Sequence, residues 1–300
     1  MTADVVTRPS RPATVDVRLM APADVDAAGA VWDGAFADMR ARAGLPPRPH
    51  DDVAAQRTRA RLRHLLATDP AGSWVAAAGG AVVGVAQASR RGPLWLLSLL
   101  GVAVAAQGRG IGRRLLDATR RYALEGGPGL ILSSADPRAM RRYVGAGFDL
   151  HPVVSATGVV RRDGLPAVDT VRAGSSADIG LTVEVDQAVR GAARADDVRH
   201  LLDDGVALMV VEGRGYALVR GAQPVALAAT DEQAARALLI ATLAGGDAGQ
   251  AVEVGWLSAG QQWAMDIVVA AGLDLRPSGA IMVRGLDGPP RPYIANGAFG

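Results

Sequence analysis

Gln107-Gly108-Arg109-Gly110-Ile111-Gly112 is the run in this chain whose residue types and spacing most directly suggest chemistry. An apolar stretch ends at Ala106. After the loop, Ile111, Leu115, Thr119 and Tyr122 recur at helical spacing with arginines between them. The pattern predicts strand, glycine-rich turn, helix. Such a turn aims several backbone N–H groups at one point, and the helix start adds partial positive charge. The run therefore reads as an anion cradle, phosphate being the natural ligand, with Arg109 as a cation at its lip. The same residues also fit a tight turn whose glycines only let strand and helix pack closely. No Gly-Lys-Ser/Thr follows, so this is not a P-loop. Its place in mid-domain makes it a poor dinucleotide fingerprint.

The elements that must position this loop follow from periodicity. Asp16 to Leu19 predicts a short strand. Ala23 to Ala43 predicts an amphipathic helix, with Val25, Ala28, Trp32 and Phe36 at spacings of three and four. Gly44 to His50 breaks it, and Val53 to Leu66 predicts a second, arginine-rich helix. Trp74–Ala78 and Ala81–Ala88 flank Gly79-Gly80 as a hairpin. Leu94 to Val102 is almost continuously apolar, as a strand covered on both faces should be. The helix after the cradle is expected to run to the Glu125–Gly129 stretch, and Leu130–Ser133 is a further buried strand. Asp136 can cap a helix that has Pro137 in its first turn and stops at Gly147. Phe148 opens the next strand, and Val153 to Arg161 closes a mixed sheet near residue 162.

Composition bounds the function. Three hundred residues suggest two domains. A formal charge of +2 does not supply the concentrated basic face that nucleic-acid binding needs. With no cysteine there are no disulfides, thiolate nucleophiles or Cys-ligated metals. His50, His64, His151 and His200 form no metal-binding pair, so no metal is expected. Met1 to Val17 lacks the apolar core of a secretory leader, and no apolar patch reaches the length of a membrane span. The expectation is a cytoplasmic protein without membrane contact, residues 1–15 being a flexible tail.

The second half of the sequence repeats the first. Leu62-Arg63-His64-Leu65-Leu66 is echoed by Val198-Arg199-His200-Leu201-Leu202, and Arg114–Thr119 by Ala237–Thr242. Ala139-Met140 through Gly147-Phe148-Asp149-Leu150 is echoed by Ala264-Met265 through Gly272-Leu273-Asp274-Leu275. At the place of the cradle the second copy has Thr230-Asp231-Glu232-Gln233-Ala234-Ala235. All three glycines are gone, and two carboxylates stand where an anion would sit. Like charge there repels phosphate. Glycines kept only for packing should survive in part in a homologous core, so their complete loss favours ligand binding in the first copy. The expected organisation is tail 1–15, first domain 16–162, linker 163–170, degenerate second domain 171–285 and extension 286–300. The stretch from Arg291 to Phe299 lies beyond the repeat, and a return to the first domain is its expected course.

The first copy resembles the GCN5-related N-acetyltransferase (GNAT) superfamily. The pattern Gln/Arg-x-x-Gly-x-Gly/Ala is matched by Gln107, Gly110 and Gly112, with Gly108 as the usual extra glycine. Leu-x-Val-x-Pro is matched by Leu100 and Val102, Val104 replacing the proline. Asn-x-x-Ala-x-x-x-Tyr-x-x-x-Gly-Phe is matched by Asp136, Ala139, Tyr143, Gly147 and Phe148, with only the Asn-to-Asp change. The resemblance covers about residues 16 to 160. It implies an α/β fold, a mixed central sheet flanked by helices, present twice in tandem. It also implies acetyl-CoA as co-substrate, bound by Val102, Val104, Gln107, Gly108, Arg109, Gly110, Ile111, Gly112, Asp136 and Ala139. The Val102 N–H would hold the thioester carbonyl and Tyr143 would protonate the departing thiolate.

The general base stays open. Many members carry Glu where this chain has Ser98, so either water relays the proton or a carboxylate such as Asp51 or Asp52 takes it. The acceptor implied is the primary amine of a small molecule, handled by a monomer or homodimer. The alternatives are a protein or peptide amine, and a non-catalytic CoA-binding or sensing module. The cleft around Trp32, Phe36 and His50 would separate the first two.

Overall fold

The computed structural model describes residues 14–47, 51–247 and 249–300. Most of the expected tail and His50 lie outside these residues. The first half comprises β1 (Val15–Leu19), α1 (Val25–Arg42), α2 (Asp52–Thr68), β2 (Ser73–Ala78), β3 (Ala81–Arg91), β4 (Leu94–Val102), α3 (Ile111–Arg120), β5 (Gly129–Ser134), α4 (Pro137–Val144) and β6 (Asp149–Val159). The second comprises β7 (Arg172–Ala173), α5 (Ile179–Arg190), α6 (Ala195–Asp203), β8 (Ala207–Val211), β9 (Gly215–Arg220), β10 (Gln223–Ala229), α7 (Glu232–Ala244), β11 (Ala251–Ser258), α8 (Gln262–Ala270), β12 (Asp274–Arg284) and β13 (Tyr293–Ile294).

The chain is α/β, with two sheets flanked by helices. The larger runs β1-β2-β3-β4-β5-β12-β6-β11, and the smaller β13-β10-β9-β8-β7. Among the described residues only β4 and β5 pair in parallel, through Trp95↔Gly129, Leu96↔Leu130 and Leu97↔Ile131. Beyond Leu97 and Ile131 both strands continue unpaired with each other, so the sheet opens like a V. β4 is covered on both faces, as its apolar run requires. Trp95 and Leu97 pack with Leu116, Tyr143 and Phe148 from the α3–α4 side. Leu99 packs under α1 and α2 with Val25, Ala28 and Leu62. Leu94 and Leu96 meet Leu130, Ile281, Val283 and Ala192, so the second half supplies part of this cover.

Three expectations change. The first sheet does not close near residue 162: β12 lies between β5 and β6, and β11 extends the far edge. The first half alone would leave the edges of β5 and β6 unpaired, and β12 satisfies both through Ala280↔Ser133 and Ala280↔Pro152. The strand after α4 is one piece, Asp149–Val159. α3 stops at Arg120 in i→i+3 turns. There Tyr122 turns inward to donate to Asp69 at 3.1 Å, under the Arg90 guanidinium.

Candidate active site

The cradle stands on α3. Ile111 and Leu115 are buried with Ala76 and Ala86 from β2 and β3, which anchors the helix start to the sheet. Each such side chain contributes about 1.5–3 kcal/mol on burial. Gly108 and Gly110 have φ of +79° and +75°, and a Cβ at either would meet open space. Backbone conformation, not close packing, is what asks for glycine at these two positions. Gly112 differs, since a Cβ there would come within 3.2–3.3 Å of the Arg142 guanidinium. The N-cap Gly110 offers no side-chain cap, and its carbonyl takes the N–H groups of Arg113 and Arg114. The N–H groups at the helix start are therefore not capped by a side chain.

The predicted residues divide by role. Gln107 fastens the loop: its Nε2 donates to the Val102 carbonyl at 3.1 Å, and its Oε1 accepts from Arg138 Nη1 at 3.1 Å. Ile111 is buried, so only its backbone can face a ligand. Val104 is 53% exposed beside the loop, and Arg109 is exposed at its lip. Val102 ends β4 on the open side of the V. Ala139 on α4 packs against the cluster that holds Tyr143. Asp136 caps α4, accepting from Arg138 N at 2.8 Å, and pairs with Arg138 Nη2 at 2.9 Å. Burial opposes its ionisation, but the Arg138 bonds outweigh this and hold the carboxyl below its ordinary value.

Tyr143 lies on the inner face of α4, in one cluster with Leu97 and Ile131, the last pair before the strands part. Burial pushes its phenol up to about 12. Ser98 is the extra residue of a β-bulge, because Leu97 pairs with Ala88 and Leu99 with Gln87. It is 6% exposed, and its Oγ has no hydrogen-bond partner. Asp51 caps α2, accepting from Ala54 N at 2.7 Å, which ties its carboxylate to that helix. Trp32 and Phe36 stack at 5.4 Å, and Trp32 also lies against β4 at Gly101.

Sequence reasoning missed the arginines that converge here. Arg42 reaches Asp38 at 2.6 Å and Gln107 at 3.4 Å, while Arg138 and Arg142 come from α4. Arg138 and Arg142, four apart on one helix face, were a readable signal; Arg42 had none. Among the described residues no group of three or more His, Asp or Glu could hold a metal ion. No helix in them is long and apolar enough to cross a membrane.

At the corresponding place in the second half a carboxylate caps the helix start. Asp231 caps α7, accepting from Ala234 N at 2.9 Å, and pairs with Arg214 at 2.7 Å. β13 lies along β10 through Leu227↔Ile294 and Ala228↔Tyr293, at the edge where β4 in the first half has β5.

The sequence profile of the acetyltransferase (GNAT) family matches residues 36–148. A putative acetyltransferase from Pyrococcus horikoshii superposes with a TM-score of 0.74 at 18% identity, over 98% of this chain and 100% of that one. A GCN5-related N-acetyltransferase from Kribbella flavida gives 0.58 at 17%, over 93% and 72%. A tandem GNAT protein from the clavulanic acid biosynthesis pathway gives 0.55 at 15%, over 92% and 100%. No curated protein matches the chain. The fold is that of a GNAT acetyltransferase, in tandem form.

Proposed function

We propose that the chain is an acetyl-CoA-dependent N-acetyltransferase acting on the primary amine of a small molecule, with its one active site in the first half. The observation that carries this reading is the uncapped, glycine-built start of α3 beside the open V of β4 and β5. The self-capped start of α7 provides the contrast. The residues present fit the co-substrate. N–H groups from Gly108 to Gly112 would hold the pyrophosphate, with Arg109 and Arg142 as nearby cations, while Arg42 and Arg138 are already paired with Asp38 and Asp136. Bound acetyl-CoA supplies an acetyl thioester and a thiol leaving group. The Val102 N–H would orient the thioester carbonyl, a fixed donor needing no reorganisation. Tyr143 would give the proton to the departing thiolate: a phenol holds its proton at neutral pH, and burial raises this one further, to about 12.

Thiol release from acetyl-CoA in the presence of a panel of small amines tests the proposal. Amine-dependent release by the wild type, abolished in Gly110→Glu, is expected. Co-substrate binding without release for any amine would instead favour the CoA-binding module, a reading that Ser98 supports because its hydroxyl is a poor base for an ammonium group. The repeat boundaries at 16–162 and 171–285 we take as units of sequence duplication within one interleaved fold.

A further inference from the structure

A cleft of about 630 Å³ opens at the far end of α3, about 15 Å along the helix from the cradle. That volume lies in the range of small-molecule sites. Three guanidinium groups line it: Arg120 from the last turn of α3, Arg121 just after it and Arg284 from the end of β12. Asp117 and Glu125 line it too, and Leu124, 45% exposed, gives it an apolar surface. The cleft thus lies on the seam where a strand of the second half meets the first, at Arg284↔Gly129.

The carboxylates beside these arginines do not neutralise them. Asp117 pairs loosely with Arg113, at 3.8 Å, and among the described residues Arg120, Arg121, Arg284 and Glu125 form no ion pair. Arg284 is half-buried, with its guanidinium 5.3 Å over the Phe148 ring. Its Nη2 reaches the Gly127 carbonyl only at 3.5 Å, the limit of a hydrogen bond. Burial pushes this guanidinium below its ordinary value, and the nearby charge of Arg120 adds to it. An arginine does not shed its proton in a protein, so a bound anion is what relieves it. The helix dipole accounts for Arg120, which stands at a helix C-terminus. It does not account for Arg284, which a different element brings to the same cleft. Three cations against two carboxylates leave one positive charge in excess.

We propose that this cleft is a binding site for a small monocarboxylate with an apolar body. The carboxylate is held by Arg284 and Arg120, since guanidinium donors match its two oxygens. The apolar part lies on Leu124. One negative charge answers the surplus, and Glu125 and Asp117 repel a second. The ligand joins Arg120 of the first half to Arg284 of the second. These two arginines are 164 positions apart in sequence, so the site exists only in the folded chain, and binding there stabilises the fold. The site is distinct from the cradle in place and in ligand.

Isothermal titration of sodium hexanoate into the whole chain tests this, at fixed ionic strength with sodium fluoride as the balancing salt. One site per chain is expected. Acetate, which lacks the apolar body, should bind about tenfold more weakly. Arg284→Met keeps an apolar side chain over Phe148 and should weaken hexanoate binding about tenfold. Glu125→Gln, an exposed change, should tighten it about twofold. Gly110→Glu, which blocks the cradle, should leave hexanoate binding as it is. The proposal is overturned by the lack of saturable binding, by binding indifferent to Arg284→Met, by binding lost in Gly110→Glu, or by acetate bound as tightly as hexanoate. Should Arg284→Met fail to fold, Glu125→Gln decides, and unchanged or weaker binding there overturns the proposal.

Discussion

Tyr143 keeps its proton to higher pH than an ordinary tyrosine because the cluster of Trp95, Leu97, Ile131 and Phe148 removes water from around the phenol, pushing it up to about 12. Tyr143→Phe preserves that packing and removes only the hydroxyl. We expect kcat to fall by about 10²-fold, the low end for a general acid, with acetyl-CoA affinity and melting temperature unchanged. Steady-state kinetics and calorimetry check this, and unchanged kcat would remove Tyr143 from the chemistry. The rate should also show no Tyr143-dependent alkaline loss near pH 10, the ordinary tyrosine value. Much at this scale was legible from sequence: the cradle glycines and the Asp136-to-Phe148 spacing lie within short windows. The bulge at Ser98 was not, because it depends on how β3 pairs with β4. The roles of Gln107 and Arg42 as loop fasteners were also hidden, since their partners lie up to 65 residues away.

The joint between α2 and α6 carries the sharpest element-scale expectations. Arg91 bridges Asp69 at 2.8 Å and Asp197 at 2.6 Å, and His64 Nε2 meets Asp197 at 2.8 Å. Asp197→Asn leaves the part-buried Arg91 short of a counter-charge, and we expect a loss of about 3 kcal/mol in denaturant unfolding. His64 and His200 stack at 4.3 Å. Burial lowers His200 first, and the neighbouring His64 adds to it, against the raising influence of Asp204, Asp197 and Asp203. A depressed folded-state value means the unfolded chain binds the proton more readily. Stability contributed by neutral His200 is therefore complete above the unfolded value, about 6.5, and falls as pH drops below it. Melting temperature should decline from pH 7 to pH 5, and His200→Gln should flatten that slope. A parallel slope in the variant would assign the effect elsewhere. The sequence repeat already marked His64 and His200 as echoes of one position. It gave no sign that the two rings touch, because duplication fixes correspondence within each half and not contact between halves.

At the scale of the whole molecule, the halves share a sheet. β12 lies inside the first sheet and β11 at its edge, while β13 closes the second. The second half cannot unfold and leave the first sheet intact, and the first half cannot unfold without stripping β11 and β12 of their partners β5 and β6, so scanning calorimetry should show one cooperative transition; two separable transitions would contradict the interleaved account. Periodicity showed two α/β units but not this exchange, since a strand's own pattern does not name its neighbour. The central claim is that one half binds the acetyl donor and the other has lost the means. Isothermal titration of acetyl-CoA tests it most directly. The account predicts one site per chain, lost in Gly110→Glu and kept in Asp231→Ala. No binding by the wild type, two sites per chain, or a single site indifferent to Gly110→Glu would contradict it.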